Sequence, residues 1–204
     1  MLSNYEKTAR RAAEAFLRYD VQEMAQKFSL HYDGAFLYLT FLSAPYRVSC
    51  ETGIVECLQD GRAVPAGFDE SMTIYDVLCD AKPGHSLSGR FCRINSVRGV
   101  AQTAGLGEGM LEPLARSFDR APQAFCRACR MLGGIQLTGA DAAYQLPLFP
   151  FLPVELRFWH SDEEFPPSLQ LLWDENILQY MRYETTYYAA GHLMRTLQRL
   201  AGEK

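Results

Sequence analysis

The chain has 204 residues, of which 48% are hydrophobic and 22% charged, with a formal net charge of -4. That length can bury a core without disulfide staples, and that composition excludes long disorder. A pI near 5.6 argues against nucleic acid as a partner, because such binders draw most of their affinity from basic residues that neutralise phosphates. No run of about 18 apolar residues is present to span a membrane. The most apolar stretch, Leu146 to Leu156, is broken by Pro147, Pro150 and Pro153. Met1 to Lys7 lead into a charged helical pattern without the apolar stretch of a secretory signal, so a cytoplasmic location is expected. The six cysteines are then expected as thiols.

Ser3 and Glu6 have the spacing of a capping box, and Tyr5, Ala9, Ala12, Ala13 and Phe16 follow at helical intervals. Asp20 and Glu23 repeat the cap before Val21, Met24, Ala25 and Phe28. Two consecutive helices, or one broken near Asp20, are predicted. Phe36 to Leu42 reads as a strand, Ala44-Pro45 as a turn, and Tyr46 to Cys50 as an alternating strand. Thr52-Gly53 reads as a second turn, with Ile54 to Leu58 returning as a third strand of an antiparallel meander.

Ser71 to Cys79 is predicted helical, with Ile74, Tyr75 and Leu78 on one side and Pro83-Gly84 ending it. Between 85 and 107 one short strand is predicted, at Arg90 to Ile94. Leu111, Leu114, Ala115 and Phe118 mark an amphipathic helix. Pro122 opens another, which carries Phe125, Ala128, Cys129 and Leu132 and stops at Gly133-Gly134. Ala140 to Leu146 reads as a strand. Val154 to Trp159 and Leu169 to Trp173 read as an antiparallel hairpin across an acidic connection. A helix from Glu184 to Leu200, with Leu193, Leu197 and Leu200 inward, closes the chain. Strands and helices fall in blocks, and no linker divides them. The prediction is one α+β domain over residues 1–204, with an antiparallel or mixed sheet built from the N-terminal meander and the C-terminal hairpin, flanked by helices.

Cys126 and Cys129 lie i, i+3 on a predicted helix, which places both sulfurs near one face. A zinc or iron site needs three or four ligands, and Cys50, Cys57, Cys79 and Cys92 supply no second close pair. The expectation is free thiols and no metal, with Cys129 in the apolar stripe. Gly105, Gly107 and Gly109 precede a helix but lack dinucleotide spacing and a following Gly-Lys-Ser/Thr, which suits a flexible loop. His31, His85, His160 and His192 are dispersed.

The most unusual local composition is Trp159-His160-Ser161-Asp162-Glu163-Glu164-Phe165-Pro166-Pro167. Asp162, Glu163 and Glu164, with His160 beside them, could serve as acid and base or bind a hard cation. The other reading is a solvated turn ordered by Asp162. The expectation adopted is intermediate: Phe165 buried, one carboxylate structurally engaged, two facing solvent.

Leu152 to Trp159, Asp162-Glu163-Glu164-Phe165-Pro166 and Leu171-Leu172-Trp173-Asp174 together resemble the prokaryotic family called domain of unknown function 3786. Leu132-Gly133-Gly134, Gly139 to Tyr144 and the Tyr46 strand fit the same pattern. The resemblance covers almost the whole chain, and the Asp-Glu-Glu-Phe-Pro run is its specific part. Relatives often carry glycine before that aspartate, where this chain has Ser161. The resemblance implies a domain common in anaerobic bacteria and archaea with no assigned reaction. It also implies relatives with a four-cysteine iron–sulfur module ahead of the domain, which this chain is expected to lack because it opens with its first helix.

The leading functional expectation is a soluble binding or accessory domain of anaerobic metabolism, working beside an iron–sulfur or corrinoid protein, with a protein or a small molecule as its partner. The alternatives are an enzyme on a small molecule using the carboxylates near Asp162 to Glu164, and a thiol metal or redox site at Cys126 and Cys129. No cofactor is expected.

Overall fold

The computed structural model describes residues 3–100 and 109–202. In chain order the helices are α1 (Asn4–Phe16), α2 (Val21–Phe28), α3 (Phe68–Asp80), α4 (Glu112–Arg120), α5 (Pro122–Met131) and α6 (Tyr183–Ala201). The strands are β1 (His31–Tyr32), β2 (Phe36–Phe41), β3 (Ala44–Ser49), β4 (Val55–Gln59), β5 (Arg62–Pro65), β6 (Phe91–Cys92), β7 (Ile135–Leu137), β8 (Ala142–Phe149), β9 (Leu152–Trp159) and β10 (Ser168–Asp174). The chain divides into two compact units, Met1–His85 with Leu178–Ala189, and Ser86–Ile177 with Ala190–Lys204. The α+β class with flanking helices stands. The meander and the hairpin do not share one sheet; each grows into a five-stranded antiparallel sheet of its own.

In the first unit the strand order is β1-β2-β3-β4-β5, a pure meander. Ser3 caps α1 with the reciprocal Glu6 bond that its spacing predicts. Asp20 caps α2 by accepting from the amides of Gln22 and Glu23. The β2–β3 turn is not at Ala44-Pro45. Phe41 pairs with Ala44, so the loop is Leu42-Ser43, both at positive φ (48° and 62°). A primed turn matches the right-handed twist of the strands, and burial of the Leu42 side chain offsets the cost of a left-handed leucine. Pro45 is exposed in β3, and pairing with β4 begins only at Tyr46, which leaves room for a residue without an amide hydrogen.

The β3–β4 connection is longer than a two-residue Thr52-Gly53 turn. Val48 pairs with Val55, and Ser49 and Gly53 close the loop through backbone bonds. Gly53 sits at φ +71°, and a Cβ there would come within 2.3 Å of the Ala13 carbonyl oxygen in α1. The Tyr75 hydroxyl of α3 donates to the Gly53 carbonyl at 2.7 Å. Close backbone approach, together with a left-handed backbone conformation, is what requires glycine. The adjoining helix α3 is buried nearly all round, from Ser71 to Leu78.

In the second unit the order is β6-β10-β9-β8-β7. The proline-broken apolar run is a hairpin. Pro147 pairs with Pro153, the ladder is irregular between Pro147 and Phe149, and β8 ends there so that β9 can begin at Leu152. Phe125 of α5 packs against Phe118, Tyr144 and Phe158, centring an aromatic core on this sheet. Helix α5 stops where Gly133-Gly134 predicts. Gly133 takes φ +74° while its amide bonds Arg130, and the Gly134 amide bonds the Cys129 carbonyl at 2.9 Å, a Schellman ending. Within β9, Glu155 is buried at 7% exposure and answered by Arg157 at 2.8 Å.

Candidate functional site

The acidic connection between β9 and β10 is a solvent-facing turn. Asp162 Oδ1 accepts from the amides of Glu164 (2.8 Å) and Phe165 (2.7 Å), and the Asp162 amide bonds the Phe165 carbonyl. One carboxylate is thus structurally engaged, while Glu163 and Glu164 are exposed. Phe165 is not buried; 65% of its surface is exposed. The Asp162 backbone bonds close the turn without an apolar anchor, and Pro166, also exposed, carries the chain on to β10.

His160 and Ser161, just before that turn, are clamped instead. The His160 amide donates to Asp141 Oδ2 at 2.8 Å, and its ring Nδ1 lies 3.1 Å from Asp119 Oδ1. The Ser161 hydroxyl and amide donate to the same Asp119, at 2.7 and 3.0 Å. Ser, His and Asp meet here with the aspartate in the middle. A nucleophilic serine must donate to the histidine, whereas this one donates to the carboxylate. The Ser161 hydroxyl, then its amide, hold the Asp119 carboxyl below its usual range. The arrangement fastens the end of β9 to α4.

Cys126 and Cys129 lie on α5, Cys129 fully buried and Cys126 partly so. Burial drives the Cys129 thiol above its ordinary pKa, which suits a core thiol rather than a nucleophile. Among the described residues no group of three or more His, Cys, Asp or Glu side chains is placed to hold a metal ion. Gly105 and Gly107 lie outside the described residues.

A different set of residues converges in the first unit. Asp76 sits mid-helix in α3, 2% exposed, where apolar neighbours predict a leucine. Its Oδ2 accepts from the Arg182 amide at 2.7 Å and its Oδ1 from Arg182 Nε at 2.6 Å. Asp76 therefore caps the entry to α6, where the positive end of the helix dipole favours an anion. Arg182 Nη2 reaches Asp80 Oδ2, one helical turn further along α3, at 2.6 Å. The two carboxyls are joined through one guanidinium, that of Arg182. Burial opposes the charge on Asp76, yet bonds from Thr185 and from Arg182 hold its pKa below the ordinary value. Asp80 moves the other way, raised by burial and by its bond to Asp76. Neighbouring carboxyls displaced in opposite directions lose their protons at different pH values.

This pair opens on a cleft of about 420 Å3. Ala12 and Ala15 of α1, Tyr19, Tyr188, and Met72 and Cys79 of α3 line it beside the charged groups. The Cys79 thiol is pushed up to about 12, first by burial and then by Asp80 and Asp76, so it stays protonated at neutral pH. The volume falls in the range of small-molecule sites, and a mostly apolar lining with a few fixed polar groups is their usual composition. Sequence reading passes over Asp76, Asp80 and Arg182. Its one available signal is an i, i+4 aspartate pair in an otherwise apolar helix; the arginine lies 106 residues from Asp76.

The sequence profile of the family described as Domain of unknown function (DUF3786) matches residues 20–196. Searches of curated proteins and of solved structures return no match.

Proposed function

The chain belongs to the DUF3786 family, and we propose that this protein is a small-molecule-binding domain whose ligand occupies the cleft beside Asp76 and Asp80. The observation that carries the reading is the convergence of an ordered carboxyl pair with a concave, largely apolar wall. A surface salt bridge alone would need no cleft, and a core polar network would leave no volume beside it. Asp76 is committed to the cap of α6, so Asp80, whose side chain is 36% exposed, is the carboxyl a ligand meets.

The test is a ligand-observed NMR screen of a fragment set against the full chain and against Ala15→Phe. Ala15 is an exposed position on the cleft wall, so the larger ring fills the volume while the helix persists. Fragments that bind the native chain and lose binding in Ala15→Phe, with unchanged circular dichroism, support the reading. An empty screen, or hits indifferent to the filled cleft, overturns it.

A second reading is favoured by one observation, the opposite displacement of the two carboxyl pKa values. Two neighbouring carboxyls that titrate apart beside a bound molecule are groups that general acid–base chemistry can use. Conversion of a cleft-binding fragment by the native chain, absent in Asp80→Asn, would favour an enzyme over a binding domain.

A further inference from the structure

Resting on that reading of the cleft, we infer that its ligand is a small organic cation, an amine carried on an apolar or aromatic body. Three carboxyls, Asp76, Asp80 and Glu184, line the cleft against one guanidinium, Arg182. That guanidinium is already committed through Nε to Asp76 and through Nη2 to Asp80. An incoming anion would meet one positive group whose charge is answered twice, with a third carboxylate beside it. An incoming ammonium would meet the surplus of acceptors. Tyr19 and Tyr188 also line the cleft, and aromatic rings are the apolar groups that attract a cation.

The titratable groups lining the cleft agree with this. Tyr19 follows α1, Tyr75, Asp76, Cys79 and Asp80 lie on α3, Arg182 precedes α6, and Glu184 and Tyr188 lie on its first turns. Cys79 contributes no charge, because its thiol stays protonated. Burial and Asp76 make Asp80 hold its proton to higher pH than an ordinary aspartate. An ammonium donating to Asp80 stabilises the ionised carboxylate, so binding releases that proton to solvent. Amine affinity then falls as pH drops through the Asp80 pKa.

Three probes of one shape separate the possibilities: 2-phenylethylamine, 2-phenylethanol and phenylacetate, titrated calorimetrically into the full chain. The expected result is that the amine binds about tenfold more tightly than the alcohol, the weight of one charge-assisted hydrogen bond, and that phenylacetate binds least. In Asp80→Asn the amine's preference over the alcohol shrinks to about twofold or less. If Asp80→Asn does not fold, Glu184→Gln, an exposed position, serves instead and is expected to reduce the preference in part. Equal binding of amine and alcohol, lost in Ala15→Phe, overturns the cation and leaves the small-molecule cleft standing. Tightest binding of phenylacetate overturns it in favour of Arg182 as anchor. Binding of none of the three overturns the inference, and the fragment screen then decides the cleft separately.

Discussion

Two aspartates one turn apart on α3 have opposite roles, and their substitutions should separate them. Asp76 accepts two bonds from Arg182 and caps a helix, so Asp76→Asn leaves buried donors poorly matched and is expected to cost about 2 kcal/mol. Asp80 is held with its carboxyl beside a second one, so Asp80→Asn removes repulsion at neutral pH and is expected within about 0.5 kcal/mol of the native chain. Urea unfolding at pH 7 measures both, and equal costs would contradict the division of labour. The signs with pH differ too. The depressed Asp76 contributes stability above the unfolded aspartate pKa of about 3.9, lost as pH falls through its folded value. The raised Asp80 favours folding at low pH and loses that contribution as pH rises through its folded value. Gly53 is the other residue under tight constraint. Gly53→Ala must move the Ala13 carbonyl and hold a left-handed alanine, and is expected to cost about 2–4 kcal/mol by thermal or urea unfolding.

At the scale of the element, the β9–β10 turn shows which part of an unusual composition is structural. Asp162 orders the loop through two amide bonds, and its replacement by alanine is expected to cost about 1 kcal/mol. Glu163→Ala, Glu164→Ala and Phe165→Ala change exposed side chains and are expected to stay within about 0.5 kcal/mol each. A loss of 2 kcal/mol or more at Phe165 would mean that its ring is covered in solution, against about 0.5 for an exposed site. Nearby, Ser161→Ala removes the bond that does most to depress Asp119, so the Asp119 carboxyl should titrate closer to an ordinary aspartate by carbon-detected NMR. An unmoved Asp119 would remove Ser161 as the cause.

For the whole molecule, the thiols and the exposed carboxylates give readouts that do not depend on the cleft. All six cysteines are free, so thiol titration in denaturant without reductant should count six. In the native state Cys57 and Cys129 should react slowest, since both are enclosed. Stoichiometric metal lost on Cys126→Ser would contradict the free-thiol state. Asp33 is lowered to about 2, chiefly by the Tyr38 hydroxyl and then by the Phe36 and Ala35 amides. Its contribution to stability is full above the unfolded aspartate pKa of about 3.9 and is lost progressively as pH falls from there toward 2, and Tyr38→Phe should raise its midpoint. Among the described residues no helix is long and apolar enough to cross a membrane.

Much of this was written locally in the sequence. The capping pairs Ser3–Glu6 and Asp20–Glu23, the Gly133-Gly134 stop and the alternation in β9 each depend on residues a few positions apart. Their side chains satisfy neighbouring backbone groups or bury one face, so short-range pattern suffices to place the helices, the strands and the α+β class. Other features required the folded chain. That the meander and the hairpin found separate sheets depends on which strand edges meet, and alternation specifies faces, not partners. Burial of its side chain offsets the cost of a left-handed Leu42, and the approach of α1 adds to the positive φ in requiring Gly53. The cleft is the extreme case. Asp80 and Arg182 are separated by 102 residues, and their charges tell nothing until folding brings them to 2.6 Å. That meeting is a matter of tertiary geometry, which a string of residues does not contain.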